Sequence, residues 1–267
     1  MRPIEELSAT QASKIRIILH DIDDTITNNG KLTAEAYTAL WRLHDTGFRV
    51  IPVTGRPAGW CDMAIRQWPI DAIVGENGAF VYYWKDGKPE MFRHPSIPAE
   101  SVADKLDAVR KACLAGVPGC RIAKDQHFRM YDLAVDFRED EPKLPLEAGD
   151  RIREIAESMG AVAKVSSIHV NCWYGNYDKL SMTRLFLREI YGIEDPEECV
   201  MFFGDSANDE PMFRELPLSC GVENVEPFLS RMQYHPAYLA EGEGGYGFAR
   251  AADFLIQQRL GNCIGKE

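Results

Sequence analysis

Three carboxylates and a hydroxyl are packed into Asp21-Ile22-Asp23-Asp24-Thr25. Carboxylates this close repel one another, so their crowding wants an explanation other than stability. Paired with a cation they become a metal site, and one of them can also attack as a nucleophile. The plainer reading is a solvated acidic turn, or Asp and Thr capping the next helix. Three further stretches carry related chemistry. Thr54-Gly55-Arg56 offers a hydroxyl and a guanidinium, Lys179 an ammonium, and Gly204-Asp205-Ser206-Ala207-Asn208-Asp209 a second acidic run. Carboxylates, a hydroxyl, an ammonium and a hard cation are the equipment for phosphoryl transfer. Such a site positions the group, neutralises its oxygens and keeps the nucleophile close.

These groups act together only if the fold gathers them. Ile15 to Leu19 is a short β-branched run that reads as a buried strand, so the first acidic cluster sits where that strand leaves the sheet. Thr33 to Asp45 fits a helix, with Thr33 as N-cap and Gly47 as its stop. Phe48 to Val53 is a second strand ending at Thr54. A helix over about Trp60 to Gln67 leads to a third strand, Ala72 to Val74, ending at Glu76-Asn77. Strands separated by helices indicate a parallel, doubly wound α/β sheet, whose strand ends share one ligand-binding edge.

The rhythm then changes. Phe80 to Trp84 and Glu90 to Arg93 read as a hairpin around Asp86-Gly87. Helices over about Pro98 to Ala115 and Leu146 to Met159 alternate with strand runs at Phe128 to Phe137, Ala161 to Val165 and Ile168 to Trp173. That pattern suggests antiparallel pairing in an α+β layer. After Gly175 the first rhythm resumes, with a helix over Leu180 to Tyr191 and a strand over Cys199 to Phe203. A helix from Pro211 to Leu216, a strand from Leu218 to Val222 and a final helix over Ala249 to Arg259 follow. Glu241 to Gly245 reads as a flexible loop. The expected organisation is a Rossmann-like core from residues 1–82 and 176–267, interrupted by an inserted α/β cap over residues 83–175.

The bulk properties exclude several classes. A formal charge of −11 argues against a nucleic-acid surface, and no apolar stretch approaches the roughly 20 residues of a membrane span. The opening residues lack the apolar core of a signal peptide. Cys61, Cys113, Cys120, Cys172, Cys199, Cys220 and Cys263 are scattered without zinc spacing, which points to the reducing cytoplasm.

The ordered set Asp-x-Asp-x-Thr, Thr-Gly-Arg, an isolated Lys and Gly-Asp-x-x-Asn-Asp resembles the haloacid dehalogenase-like phosphatase superfamily. The large insert between Thr54 and Lys179, with Glu76-Asn77-Gly78-Ala79, resembles its type II subgroup with an α/β cap. Cof-like, sucrose-phosphate and mannosylphosphoglycerate phosphatases belong to that subgroup. The resemblance implies a Mg²⁺-dependent phosphatase acting on a small phosphorylated metabolite, a sugar phosphate being the expected kind. Asp21 would be the nucleophile that forms an aspartyl-phosphate, and Asp23 the acid and base. Thr54 would bind a phosphoryl oxygen, with Gly55, Arg56 and Asn208 near the substrate, and Lys179 would neutralise charge. Asp21, the Asp23 backbone carbonyl and Asp205 would hold Mg²⁺, oriented by Asp209. A sugar phosphomutase shares this chemistry, and a phospho-aspartate signalling domain shares the residue types at about half the length. Asp24 departs from the pattern, where a small residue is usual, and is expected to face solvent. In the insert, Arg121, Lys124, Arg129 and Asn171 are candidates for reading the substrate, while Tyr82, Tyr83, Trp84, Trp173 and Tyr174 suit hinge packing.

Overall fold

The computed structural model describes residues 1–264, with the side chains of 262–264 left aside; the Cys263 side chain therefore lies outside the described residues. Along the chain run β1 (Arg2–Pro3), α1 (Ala9–Ala12), β2 (Ile17–His20), β3 (Thr27–Asn28), β4 (Lys31–Leu32), α2 (Ala34–Asp45), β5 (Arg49–Pro52) and α3 (Ala58–Gln67). There follow β6 (Ala72–Gly75), β7 (Phe80–Lys85), β8 (Lys88–Arg93), α4 (Ala103–Gly116), β9 (Arg121–Ile122), β10 (Asp132–Asp136) and α5 (Leu146–Ser158). The remainder is β11 (Val162–Val165), β12 (His169–Trp173), α6 (Lys179–Tyr191), β13 (Val200–Gly204), α7 (Glu210–Glu215), β14 (Ser219–Val222), β15 (Tyr238–Ala240) and α8 (Gly244–Ile264).

Six strands form the central sheet in the order β1-β15-β14-β13-β2-β5, every pair parallel. Its central strands β2, β13 and β14 are buried along their whole length, as the apolar runs require. From β2 the chain goes to β5 on one side and later returns as β13 on the other. The crevice between β2 and β13 is thus a topological switch point, where α/β sheets bind ligands. Thr33 caps α2 by accepting from Ala36 N at 3.1 Å, and Gly47 ends the turn after it at φ +85°.

Local sequence misplaced several elements, each for a visible reason. β6 was expected as a third strand of the parallel sheet. It does run parallel beside β5, through the Val53–Val74 bridge and the bonds from Thr54 N to Val74 O and Asp71 N to Val50 O. That ladder is interrupted, however, and β6 also pairs antiparallel with β7 in a sheet ordered β6-β7-β8. Pro52 at the end of β5 has no N–H to extend a ladder on that side. The β7–β8 hairpin turns at Asp86-Gly87, both at positive φ, as its Asp-Gly pair predicts. Phe128 to Tyr131 is not strand: β10 begins only at Asp132, because the Met130 and Tyr131 N–H groups are taken by the Glu76 carboxylate. Helix α4 starts at Ala103, five residues after Pro98. Helix α8 starts inside the expected Gly-rich loop. Asn224 Oδ1 accepts from Gly244 N at 2.8 Å and Asn28 Oδ1 from Gly245 N at 2.9 Å, both from distant segments.

The inserted segment builds an antiparallel sheet, β11-β12-β10-β9, covered on one face by α4 and α5. Its strands alternate: Leu133, Val135, Val170 and Cys172 join the apolar cluster with Val109, Cys113 and Ile152. The intervening Asp132, His169 and Asn171 are buried and polar, and they occupy the opposite face. The fold is α/β, a parallel-sheet core carrying an α+β cap.

Candidate active site

Asp21 is the first residue past β2. Its N–H donates to the Phe203 carbonyl of β13 at 2.9 Å, which pins it at the switch point. One carboxylate oxygen accepts from Ile22 N at 2.8 Å, and the other from Lys179 Nζ at 2.7 Å. Burial pushes the Asp21 carboxyl up to about 7, although Lys179 opposes the rise. Lys179 is the first residue of α6, whose start is fixed by Asp178 accepting from Ser181 N at 2.7 Å. The Lys179 ammonium also donates to Asp209 at 2.8 Å. Burial alone would pull Lys179 down, but the Asp209 and Asp21 carboxylates outweigh it and hold the ammonium charged.

Asp205 follows β13 and is buried. One of its oxygens accepts from Thr25 Oγ1 at 2.9 Å, while Oδ2 has no hydrogen-bond partner among the described residues. Burial, with Asp209 and Asp21 adding to it, pushes this carboxyl well above the usual range. Asp21, Asp205 and Asp209 each bring a carboxylate oxygen within 4.8 Å of the others. An all-oxygen donor set with an unpartnered buried oxygen fits a hard divalent cation. Asp209 is otherwise engaged, since its second oxygen accepts from Asp205 N at 3.1 Å.

Asp23 and Arg56 meet in a two-pronged ion pair, with Nε at 2.8 Å and Nη2 at 2.7 Å from the carboxylate. Arg56 lies over the Trp60 ring and reaches cap residues Glu139, at 3.0 Å, and Asp125, at 3.5 Å. Burial works against its charge, but Asp23, Glu139 and Asp125 raise it higher still. Gly55 and Asn208 line the same small cavity as Asp21, Asp23 and Arg56, beneath Asn171 and Ser167 of the cap. A Cβ at Gly55 would stand 3.2 Å from the Asn77 side chain and 3.3 Å from Asn171. Asn208 accepts from Ser206 Oγ at 2.8 Å. Thr54, next to Gly55 in the chain, is fully buried, its hydroxyl accepting from Arg56 N at 3.1 Å.

The cap candidates divide. Arg129 is buried and its guanidinium is consumed by Asp125, Asp132 and the Gly55 carbonyl, so it ties cap to core. Asn171 donates to Asp132 at 2.8 Å and faces the cavity. Arg121 binds the Asp140 and Glu141 carbonyls, and Lys124 pairs with Asp140 on the surface. Glu139, His169 and Asp125 were missed; the polar alternation of β12 was the signal available for His169. Asp24 does not simply face solvent. It lies at φ +58°, half-buried, on a cavity of about 910 Å³ shared with Arg138, Lys143 and Ser167 of the cap.

A family model described as haloacid dehalogenase-like hydrolase matches residues 18–118, which span Asp21 to Arg56 and continue into the cap. Over that stretch the chain is similar to the haloacid dehalogenase-like hydrolases. The phosphoglycolate phosphatase of Methanobrevibacter smithii is 26% identical over 244 residues, covering 91% of this chain and 99% of that protein. That of Pyrobaculum aerophilum is 26% identical over 250 residues, covering 90% and 96%. The C-terminal domain of C. albicans trehalose-6-phosphate phosphatase superposes with a TM-score of 0.71 at 14% identity, covering 96% and 98%. The family match and the phosphatases it resembles together support a phosphatase, and the fold is shared with the C. albicans domain. Among the described residues, no helix is long and apolar enough to cross a membrane.

Proposed function

We propose that this phosphatase hydrolyses the phosphate monoester of a sugar-sized metabolite through an aspartyl-phosphate on Asp21, with Mg²⁺ as cofactor. The observation that carries the reading is the Asp21–Lys179–Asp209 arrangement beside Asp205 Oδ2. A nucleophile, a fixed cation and a free hard-ion ligand converge at one strand end. Asp21, Asp205 and the Asp23 main chain are the proposed metal ligands, and a bound Mg²⁺ would offset phosphoryl-oxygen charge.

The chain's own residues account for the rest. An Asp21 oxygen bonds to phosphorus while the ester P–O bond breaks. Protonated Asp23 gives its proton to the departing alkoxide, so a neutral alcohol leaves. Asp23, now a carboxylate, takes a proton from water as the water oxygen bonds to phosphorus and the bond to Asp21 breaks, releasing inorganic phosphate. The clasp of Arg56 on Asp23 suits that second, proton-accepting form. Lys179 balances Asp21 throughout, and Asp209 holds Lys179 and the Asp205 backbone in place. Thr54 and Asn208 border the phosphoryl position. The segment 83–175 acts as a lid that keeps bulk water from the intermediate.

Support for a sugar-sized leaving group comes from the cavity of about 910 Å³ between core and cap, in the upper range for metabolite pockets. The relatives' names suggest a two-carbon acid instead, and a substrate panel separates the two readings. Release of inorganic phosphate from p-nitrophenyl phosphate with Mg²⁺ tests the chemistry. Asp21→Asn is expected to lower the turnover by at least about 10³-fold. Near-normal turnover by that variant would sink the covalent mechanism.

A further inference from the structure

Asp24 is the acidic residue that the catalytic reading leaves without work. Its backbone lies at φ +58°, a conformation that glycine enters freely and a residue with a Cβ enters at a cost. The turn holds it there: Asp24 N donates to Thr27 Oγ1 at 3.0 Å, and Thr27 Oγ1 donates back to the Ile22 carbonyl at 3.3 Å. Strain kept at a site position directs attention to what the side chain does.

That side chain enters the cavity above Asp205, opposite the cap. Ser167, Arg138 and Lys143 of the cap line the same cavity. Neither cation is closed onto it as an ion pair. Arg138 instead donates to the Leu144 carbonyl at 3.2 Å, and the Lys143 side chain is exposed. The far wall, from Glu223, Glu226 and Glu243, is acidic as well, with Asn224 and Phe228 among them. A substrate bound through its phosphate therefore places its other end between a carboxylate floor and an acidic wall. Hydroxyl groups donate well to such acceptors, whereas a second anionic group meets like charge on two sides.

We infer that Asp24 is a specificity-determining residue that selects phosphate esters with a neutral, hydroxyl-bearing leaving group and rejects those carrying a second anion. The inference rests on the phosphatase reading above and narrows its substrate. Asp24 accepts hydrogen bonds from the leaving group's hydroxyls, and its charge repels a carboxylate such as that of 2-phosphoglycolate.

The test compares kcat/KM for 2-phosphoglycolate and for a neutral hexose 6-phosphate in the wild-type enzyme, Asp24→Asn and Asp24→Gly. Asn and Gly both tolerate the left-handed conformation, so loss of folding does not confound the pair. The wild type is expected to prefer the hexose ester. Both variants shift the ratio at least about tenfold toward phosphoglycolate, by losing one like-charge contact at short range. In Asp24→Asn the hexose loss is smaller, since the amide oxygen still accepts. A wild-type preference for phosphoglycolate, or a ratio that neither variant moves, overturns the inference. Failure of the underlying reading looks different: the wild type then releases no phosphate from p-nitrophenyl phosphate with Mg²⁺.

Discussion

At the carboxyl edge of the six-stranded sheet, Asp21 and Asp209 share the ammonium of Lys179, and beside them one Asp205 oxygen is left without a partner. Beneath the cap sheet, Asp125 and Asp132 share the guanidinium of Arg129, and there every carboxylate oxygen is engaged. Arg129 donates to both acids at 3.0–3.2 Å, Asn171 adds a bond to Asp132, and Arg56 approaches Asp125. Glu76 alongside is treated in the same way, with three backbone N–H groups on its two oxygens. Both clusters bury charge at similar depth. The difference is completeness: the cap cluster is closed and serves attachment, while the core cluster is short of positive charge and is poised for a ligand.

Breaking the closed cluster should have the largest effect on stability. In Arg129→Met, Asp125 and Asp132 lose their shared cation in a dry site, and the Gly55 carbonyl loses its donor. Removing one member of a buried ion pair costs about 3–5 kcal/mol. Urea unfolding should show a loss of that order, with turnover falling because Gly55 and Asp23 lose their cap-side support. A loss near zero would mean that the cap cluster is as under-paired as the core one.

The two regions also differed in how far they could be read in advance. Asp21, Lys179, Asp205 and Asp209 announced themselves because each sits at a strand or helix end, and parallel topology brings such ends together. The cap cluster did not. Arg129 and Asp132 sit in a stretch that resembles plain strand material, and only the distant Glu76, by taking the Met130 and Tyr131 N–H groups, bends it away from the sheet. The start of α8 failed for the same reason: its first amides are capped by Asn28 and Asn224, far off in sequence. The general exposure of Asp points Asp24 to solvent, but it holds no information about a cap lying over that position. Long-range polar partners were what local pattern could not supply.

A second prediction sharpens the contrast by titration. His20, next to Asp21, is fully buried, and burial lowers it to about 4 even though its Nδ1–H donates to the Asp21 carbonyl at 2.8 Å. Its Nε2 has no partner among the described residues. Between pH 6.5 and about 4 the unfolded chain binds a proton that the folded one refuses. Stability contributed here is therefore present above pH 6.5 and falls as pH drops through that window, by up to about 3 kcal/mol. Comparing unfolding free energies at pH 7 and pH 4.5 in wild type and His20→Asn isolates this group. The variant should lose stability overall yet show a flatter pH slope, and an unchanged slope would show that His20 is not held neutral.

The smallest effect tests the open cluster most directly, because its sign runs against ordinary intuition about mutating a buried residue. Asp205 is pushed well above the usual carboxyl range by burial and by Asp209 and Asp21. An amide at this position keeps the bond from Thr25 and removes one uncompensated charge. Without metal, Asp205→Asn should therefore be more stable than wild type, by about 1 kcal/mol, the usual exchange between function and stability at a site. Adding Mg²⁺ at a hundredfold excess over its Kd should raise the wild type by about 2.7 kcal/mol and the variant by far less, so the order of the two reverses. Thermal denaturation with and without Mg²⁺ reads both effects. If metal-free Asp205→Asn is instead the weaker protein, then this cluster is held together as the cap cluster is, and its unpartnered oxygen is no sign of a missing cation.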